Sequence, residues 1–172
     1  AYEIPKRDWS SDVCSSDLRL CERVGTGADV IWRVGAAFRH VEVAQHEALA
    51  VDLPALTRLA AGIGDPQVRA RGTIGGSIAN NDPAADYPSA LLALGAVVMT
   101  DRRRIAAEDF FQGMFTTALE DRELIVAIEF SIPRRAAYAK FPHPATGYAM
   151  AGVFVAEHQD GSWRVAVTGV GA

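Results

Sequence analysis

Residues 62–88 form the stretch that decides the fold, and they read GIGDPQVRARGTIGGSIANNDPAADYP. Gly75 and Gly76 have no Cβ, so the main chain there is able to approach another group closely. The hydroxyls of Thr73 and Ser77 flank this pair and are able to donate hydrogen bonds to phosphate or hydroxyl oxygens. From these residues we predict that main-chain amides around the two glycines bind a ligand.

The same pattern is also typical of an ordinary tight turn, and spacing alone does not separate the two interpretations. The stretch is not a P-loop, because no Gly-Lys-Ser/Thr sequence follows the glycines. The glycine spacing of a Rossmann fingerprint is also absent. Asp82 and Pro83 predict the start of a helix, whose N-terminus favours negative charge. Asp86 lies one turn further on and would accept hydrogen bonds from ligand hydroxyls.

Outside this stretch, the hydrophobic pattern changes between helical and strand periods, which predicts an α+β fold. The three glycines within 71–80 predict a loop or an edge strand there. Residues 84–94 are predicted to be helical, and residues 123–132 alternate like a strand with one buried face. The sequence Gln159-Asp160-Gly161 predicts a hairpin turn. The remaining predicted elements are helices at 38–49 and 53–63, a helical turn at 107–113, and strands at 31–36, 96–100, 104–106 and 137–141.

Composition excludes several classes of protein. The chain has 172 residues, 49% of them hydrophobic, which is enough for one buried core, and a net charge of −4. That charge does not favour nucleic-acid binding, which needs a concentrated basic face. No apolar run reaches the ~18 residues of a membrane span, and residues 1–10 do not form a signal peptide. A cytoplasmic location is therefore the default expectation. The two cysteines and four histidines show no metal-ligand spacing.

Residues 9–18 form a Ser/Asp-rich patch with neither a helical nor a strand period. A natural linker is one interpretation, and non-native sequence is the other. We therefore set residues 1–20 apart from the fold, as a non-native or disordered segment.

Residues 62–69, 71–77 and 82–88 resemble the medium, FAD-binding subunit of the carbon monoxide dehydrogenase and xanthine dehydrogenase family of molybdenum hydroxylases. The similarity runs in order from about residue 30 to the end. The resemblance implies an α+β fold of the vanillyl-alcohol-oxidase type. Residues 21–134 would be the second FAD-binding subdomain, and residues 135–172 would begin the family's C-terminal domain. The chain would then be truncated at both ends.

The resemblance also implies a set of residues around the FAD. Asp86 would match an acidic residue that contacts the FAD, and Ile63 would line the flavin cleft. Ile125 would contact the flavin ring through its backbone, and Lys140 would lie near the ring, where it could stabilise negative charge on the reduced flavin. Without the resemblance, Ile125 is ordinary strand core and Lys140 a solvated cation. The segment that would contact the FAD directly comprises Thr73, Ile74, Gly75, Gly76 and Ser77.

In this family, substrate is oxidised at a molybdenum cofactor on a large subunit. Electrons pass through two [2Fe-2S] clusters on a small subunit to FAD, and then to a terminal acceptor. The resemblance therefore implies a heterotrimer, possibly doubled, and no substrate-oxidising residue in this chain. The family's earlier Ala-Gly-Gly-Gln-Ser-type segment has no counterpart before Val30, so we expect the chain alone to bind FAD weakly or not at all. The alternative is an interaction module that docks to the molybdenum subunit without flavin.

Overall fold

The computed structural model describes residues 17–27 and 30–170, so most of the segment set apart above lies outside the described part of the chain. The described residues form a mixed α+β structure, as predicted. The strands are β1 (Cys21–Val24), β2 (Ile31–Gly35), β3 (Val97–Thr100), β4 (Arg104–Ala106), β5 (Phe111–Gly113), β6 (Thr116–Thr117), β7 (Ile125–Ser131), β8 (Arg135–Pro142), β9 (Ala149–Glu157) and β10 (Trp163–Thr168). The helices are α1 (His40–Gln45), α2 (Glu47–Asp52), α3 (Pro54–Ala61), α4 (Pro66–Arg71), α5 (Ile74–Asn80), α6 (Tyr87–Ala93) and α7 (Ala107–Phe110), and a 3-10 helix (Asp17–Arg19) precedes β1.

The larger sheet has the strand order β1-β2-β7-β3-β4, and its neighbouring strands are antiparallel. Its central strand β7 is buried on both faces, which explains its nearly continuous apolar run. The strand predicted at 123–132 is therefore present, but the prediction of a single buried face is wrong. Leu124 precedes the strand and is 65% exposed.

Glu129 is a buried charged residue in the middle of β7. Arg33 lies opposite it on β2 and donates to Oε1 from Nε at 3.1 Å and from Nη2 at 2.9 Å. Arg104 of β4 pairs with Oε2. A buried carboxylate needs such partners, because an uncompensated charge in the interior is strongly destabilising. The two ion pairs therefore join β2, β7 and β4 across the sheet.

The second sheet is an antiparallel meander with the order β10-β9-β8. The hairpin predicted at 159–161 is confirmed: the amide of His158 donates to the carbonyl of Ser162 at 2.8 Å, and the carbonyl of His158 accepts from the amide of Gly161 at 3.0 Å. The inner face of this sheet packs against α6 and α3. Phe154 of β9 and Leu91 of α6 belong to the same apolar core. The chain changes sheets between Ser131 and Arg135, and the division into domains at residue 134 stays a prediction.

Residues 74–80 form helix α5, so the prediction of a loop or edge strand there is wrong. The side chain of Thr73 caps the helix by accepting a hydrogen bond from the Gly76 amide. Asn81 ends it in the left-handed conformation, with φ of 44°. Glycine lowers helix propensity by ~1 kcal/mol per residue, and tertiary packing of Ile74 and Ile78 in the core overrides that cost.

Three other predicted boundaries differ from the structure. The helix predicted from Asp82 begins instead at Tyr87. Proline is tolerated in the first turn of a helix, but further inside it would clash with the carbonyl four residues earlier, so the helix starts just before Pro88. The helix predicted over 38–49 is two helices, and His46 ends α1 and caps α2. The helix predicted over 53–63 ends earlier, at Ala61, and Pro66 starts a further helix, α4, with Asp65 as the cap. No helix in the described ranges is long and apolar enough to cross a membrane.

Candidate functional site

A cleft with a volume of about 180 Å³ lies between α5, the turn before α6, and the loop that follows α3. Its walls combine apolar and polar groups from separate parts of the chain. The lining residues are His40, Ile63, Gly64, Val68, Gly76, Ser77, Asn80, Asp82, Ala85, Asp86 and Tyr148. Four residues predicted from the sequence therefore come together here: Ile63, Gly76, Ser77 and Asp86.

The main-chain amides of residues 74–77 are all bonded within the protein. Ile74 donates to the carbonyl of Phe38 at 3.0 Å, and Gly75 donates to the carbonyl of Ala36 at 2.9 Å. Gly76 donates to the hydroxyl of Thr73 at 3.1 Å, and the Ser77 amide makes the helical bond to the Thr73 carbonyl. The prediction that amides around Gly75–Gly76 bind a ligand is therefore wrong, because the helix cap and the carbonyls of Ala36 and Phe38, which follow β2, use these amides.

Gly75 and Gly76 have different surroundings, so the absence of a side chain serves a different purpose at each position. A Cβ on Gly75 would lie 2.6 Å from the Cβ of Ala36 and 2.7 Å from its carbonyl oxygen, so Gly75 allows α5 to pack against the end of β2. A Cβ on Gly76 would meet only the hydroxyl of Thr73, at 3.1 Å. Gly75 is thus a packing residue, whereas Gly76 presents an open backbone surface to the cleft.

Asp86 is a buried carboxylate in the cleft wall. Tyr138 of β8 donates its hydroxyl proton to Oδ1, and Lys140 of the same strand donates to Oδ2 at 3.1 Å. Lys140 also donates to the carbonyl of Gly62 at 2.9 Å, and its side chain is 10% exposed. Lys140 is therefore a mostly buried partner of Asp86, and the alternative of a solvated cation is wrong.

Burial raises the pKa of Asp86 above its ordinary value, and the hydrogen bonds and charge of Tyr138 and Lys140 oppose that shift. The pKa of Tyr138 is raised as well, first by burial and then by its hydrogen bond to the carboxylate. A carboxylate has about four lone-pair positions, and the two protein donors leave acceptor capacity free. Asp86 is therefore able to accept a further hydrogen bond from a group in the cleft.

The other predicted residues lie outside the cleft lining. Ile74 is fully buried in the core, so its side chain is not available to a ligand. Thr73 caps α5 from just behind the cleft wall. Ile125 begins β7, where it packs against the apolar core and pairs with Thr100 of β3. The structure thus gives Ile125 the strand position that the pattern alone indicated.

Several residues at the cleft were not predicted as site residues. Tyr138 had a usable signal, because it lies two positions before Lys140 and the period of a strand puts both on one face. His40, Asn80 and Tyr148 had none, since their neighbours along the chain do not show which segments meet. No group of three or more metal-ligating side chains occurs in the parts of the chain that the structure describes.

Comparison with known proteins identifies the family. The sequence family described as the FAD binding domain in molybdopterin dehydrogenase matches residues 17–134. The glyceraldehyde dehydrogenase medium chain of Sulfolobus acidocaldarius is 36% identical over 129 residues, which are 72% of this chain and 46% of that relative. The carbon monoxide dehydrogenase medium chain of Afipia carboxidovorans is 36% identical over 136 residues, which are 75% of this chain and 46% of that relative.

Solved structures agree with the sequence relatives. Carbon monoxide dehydrogenase from Hydrogenophaga pseudoflava superposes with a TM-score of 0.78 at 31% identity, covering 89% of this chain and 56% of that one. Quinoline 2-oxidoreductase from Pseudomonas putida 86 superposes with a TM-score of 0.79 at 28% identity, covering 91% of this chain and 56% of that one. The chain spans about half the length of the relatives it matches. It belongs to the family of FAD-binding domains of molybdopterin dehydrogenases.

Proposed function

We propose that this chain forms one wall of an FAD site in the electron-transfer subunit of a molybdenum hydroxylase. The observation that carries the proposal is the convergence of Ile63, Gly76, Ser77 and Asp86 on one cleft, although they come from three separate segments. The family membership supports FAD as the ligand of that cleft.

The polar groups of the cleft fit the hydroxylated part of FAD better than its pyrophosphate. The carboxylates of Asp82 and Asp86 accept hydrogen bonds from hydroxyls and repel phosphate. Ser77 and Asn80 are able to donate as well as accept, so they suit a chain of alternating hydroxyls. The amides of residues 74–77 are already bonded, so they are not available to an anion. We therefore assign the ribityl chain to this wall.

The size of the cleft indicates that this wall contacts only part of the cofactor. Its volume of about 180 Å³ is below the ~300–1,000 Å³ of pockets that enclose a whole small-molecule ligand. Of the two outcomes expected for the chain alone, weak FAD binding or none, this partial wall favours weak binding that is detectable only with FAD in excess. The flavin absorbance of the purified chain measures this directly, and a stoichiometrically yellow protein would contradict it.

The individual roles follow from these contacts. Asp86 accepts a hydrogen bond from a flavin hydroxyl, and Lys140 compensates the buried carboxylate next to the cofactor. Ile63 supplies an apolar wall, and the segment from Thr73 to Ser77 holds α5 in place behind it. We also propose, as the family resemblance implies, that the main chain of Ile125 contacts the flavin ring. Bound FAD supplies the electron-carrying chemistry, which protein side chains lack.

The proposal includes partners. A molybdenum-cofactor large subunit and an iron–sulfur small subunit with [2Fe-2S] clusters would complete a heterotrimer, possibly doubled, in the cytoplasm. Relatives described as medium chains or medium subunits support this, among them the nicotine 6-hydroxylase medium subunit of Paenarthrobacter nicotinovorans, which is 34% identical over 146 residues. Co-purification with the two companion subunits would test the assembly.

Gly76→Asp tests the flavin site. The new carboxylate would enter the cleft beside Asp82 and Asp86, while an acidic residue in the first turn of a helix is compatible with the fold. We expect the variant to remain folded and to lose binding of added FAD, measured by quenching of flavin fluorescence. Ser162→Asp on the exposed β9–β10 hairpin is the control and should bind like the parent chain. Equal FAD binding by both variants would favour the interaction module without flavin.

A further inference from the structure

His40 is a cleft residue that the assignments above leave without a role. It begins α1, is 4% exposed and lines the cleft. Its main-chain amide donates to the carbonyl of Gly72 at 2.9 Å. Gly72 also makes room for the ring, because a Cβ there would lie 2.5 Å from Nε2 of the imidazole. The chain therefore holds this imidazole in a defined position at the cleft.

The two ring nitrogens of His40 have different surroundings. Nδ1 is enclosed and has no hydrogen-bond partner in the described part of the chain. The ring of Tyr87 lies against the imidazole, with centroids 5.4 Å apart, and Tyr87 itself is fully buried. Nε2 is not among the enclosed unpaired atoms, and no described residue bonds to it. Because the ring lines the cleft, Nε2 is the nitrogen that a ligand is able to reach.

These surroundings decide which nitrogen carries the proton. Burial lowers the pKa of His40 to about 4, so the ring is neutral near pH 7 and has a single N–H. A buried N–H without an acceptor is rarer in proteins than an under-satisfied buried acceptor. The proton therefore belongs on Nε2, and the enclosed Nδ1 is the unprotonated nitrogen. His40 then offers a hydrogen-bond donor to the cleft.

We propose that neutral His40 contacts the ligand by donating a hydrogen bond from Nε2–H to a hydroxyl oxygen of the polyol chain bound in this cleft. This rests on the proposed flavin site and adds a residue to it. A donor on His40 complements the rest of the wall, because the carboxylates of Asp82 and Asp86 are hydrogen-bond acceptors. A hydroxyl that donates to a carboxylate still has lone pairs, and His40 supplies a donor for them. His40 is thus a recognition residue for a hydroxylated ligand.

The protonation site of His40 is measurable without any ligand. Long-range ¹H–¹⁵N spectra of the full chain, labelled with ¹⁵N-histidine, distinguish a protonated from an unprotonated ring nitrogen. We expect His40 to show an unprotonated Nδ1 and a protonated Nε2, and to stay neutral down to about pH 5, as its pKa of about 4 requires. His143 is exposed and provides the reference histidine signal in the same spectra. A proton on Nδ1 would overturn the proposal.

The contact itself is tested by adding excess FAD to the full chain labelled uniformly with ¹⁵N. We expect the Nε2–H signal of His40 to shift together with the amide signals of Gly76 and Ser77. Shifts at Gly76 and Ser77 without a shift at His40 would overturn the role of His40 and leave the flavin site intact. If no signal of the chain responds to FAD, the proposed function fails, and the role of His40 fails with it.

Two substitutions of similar shape separate donation from packing. His40→Gln places an amide N–H near the position of Nε2, whereas His40→Met fills similar space without a donor. We expect FAD affinity to fall by about threefold to tenfold in the methionine variant, the usual effect of one lost neutral hydrogen bond, and to fall less in the glutamine variant. Equal losses in both variants, at equal thermal stability, would contradict a donated hydrogen bond.

Discussion

Gly75 and Gly76 are neighbours in the sequence, yet the structure assigns them opposite tasks. Gly75 lies against the backbone of Ala36, and Gly76 faces the cleft. A glycine pair indicates only that the backbone approaches something closely. The group that it approaches is either a ligand or another part of the same protein. At Gly75 it is Ala36, because the end of β2 lies against α5 in the folded chain.

Alanine substitutions at these two positions should differ in stability. Gly75→Ala puts a Cβ 2.6 Å from Ala36, and overpacking of this kind costs ~1–3 kcal/mol. Gly76→Ala meets only the Thr73 hydroxyl, at 3.1 Å, and gains helix propensity, so its change in the free energy of unfolding should stay within about 0.5 kcal/mol. Urea denaturation of the two variants checks this, and equal destabilisation would refute the packing role of Gly75.

At the scale of elements, Glu123 connects the turn between β3 and β4 to the loop before β7. Its enclosed carboxylate accepts two hydrogen bonds from Arg103, both at 2.9 Å, one from the Thr100 hydroxyl at 2.7 Å and one from the Glu120 amide at 2.8 Å. Arg103, as the largest cause, lowers the pKa of Glu123 to about 2. The two turns are therefore joined by a carboxylate that must be ionised.

This ion pair predicts a pH dependence of stability. A carboxyl whose folded-state pKa is lowered stabilises the fold above its unfolded pKa of 4.5, and that stabilisation is lost as the pH falls from about 4.5 to about 2. We expect Glu123→Gln to flatten the fall of the melting temperature in this pH range. Glu108→Gln, at an exposed surface carboxylate, is the matched control and should leave the fall unchanged. A fall as steep in Glu123→Gln as in the control would contradict the prediction.

The helices and strands also show which elements a local sequence pattern is sufficient to predict. β7 and the β9–β10 hairpin were predicted, because apolar alternation and turn residues are local signals. Helix α5 was not predicted, because its propensity is low and its stability comes from the Thr73 cap and from packing of Ile74 and Ile78. Local patterns identify elements that would form in many folds, and they miss an element that depends on its neighbours.

At the scale of the whole molecule, the second sheet holds the cleft in place. Tyr138 and Lys140 of β8 bond to Asp86, and Thr168 of β10 donates to the carbonyls of Pro83 and Ala85 at 3.0 and 2.6 Å. The turn that carries Asp86 is thus fixed by strands more than 50 positions later in the chain. The apolar core is also continuous between the two sheets.

This continuity predicts that the two sheets unfold together. Trp32 lies in the larger sheet and Trp163 in the smaller one, so each reports on its own sheet. In a Trp9→Phe background, we expect the variants that keep only Trp32 or only Trp163 to show coincident urea transitions by fluorescence, as a two-state unit requires. Two separated transitions would indicate that residues 21–134 and 135–172 are independent domains.

The amino-acid sequence by itself determined the fold class, the family, and four of the residues that line the cleft, since these depend on patterns and motifs read along the chain. Only the tertiary structure decided that the Gly75 and Gly76 amides are occupied, that Lys140 neutralises Asp86, and that His40 faces the same cleft. The physical reason is the range of each interaction. Capping and periodicity act within a few residues, whereas hydrogen-bond partners and burial are set by segments that meet only after folding.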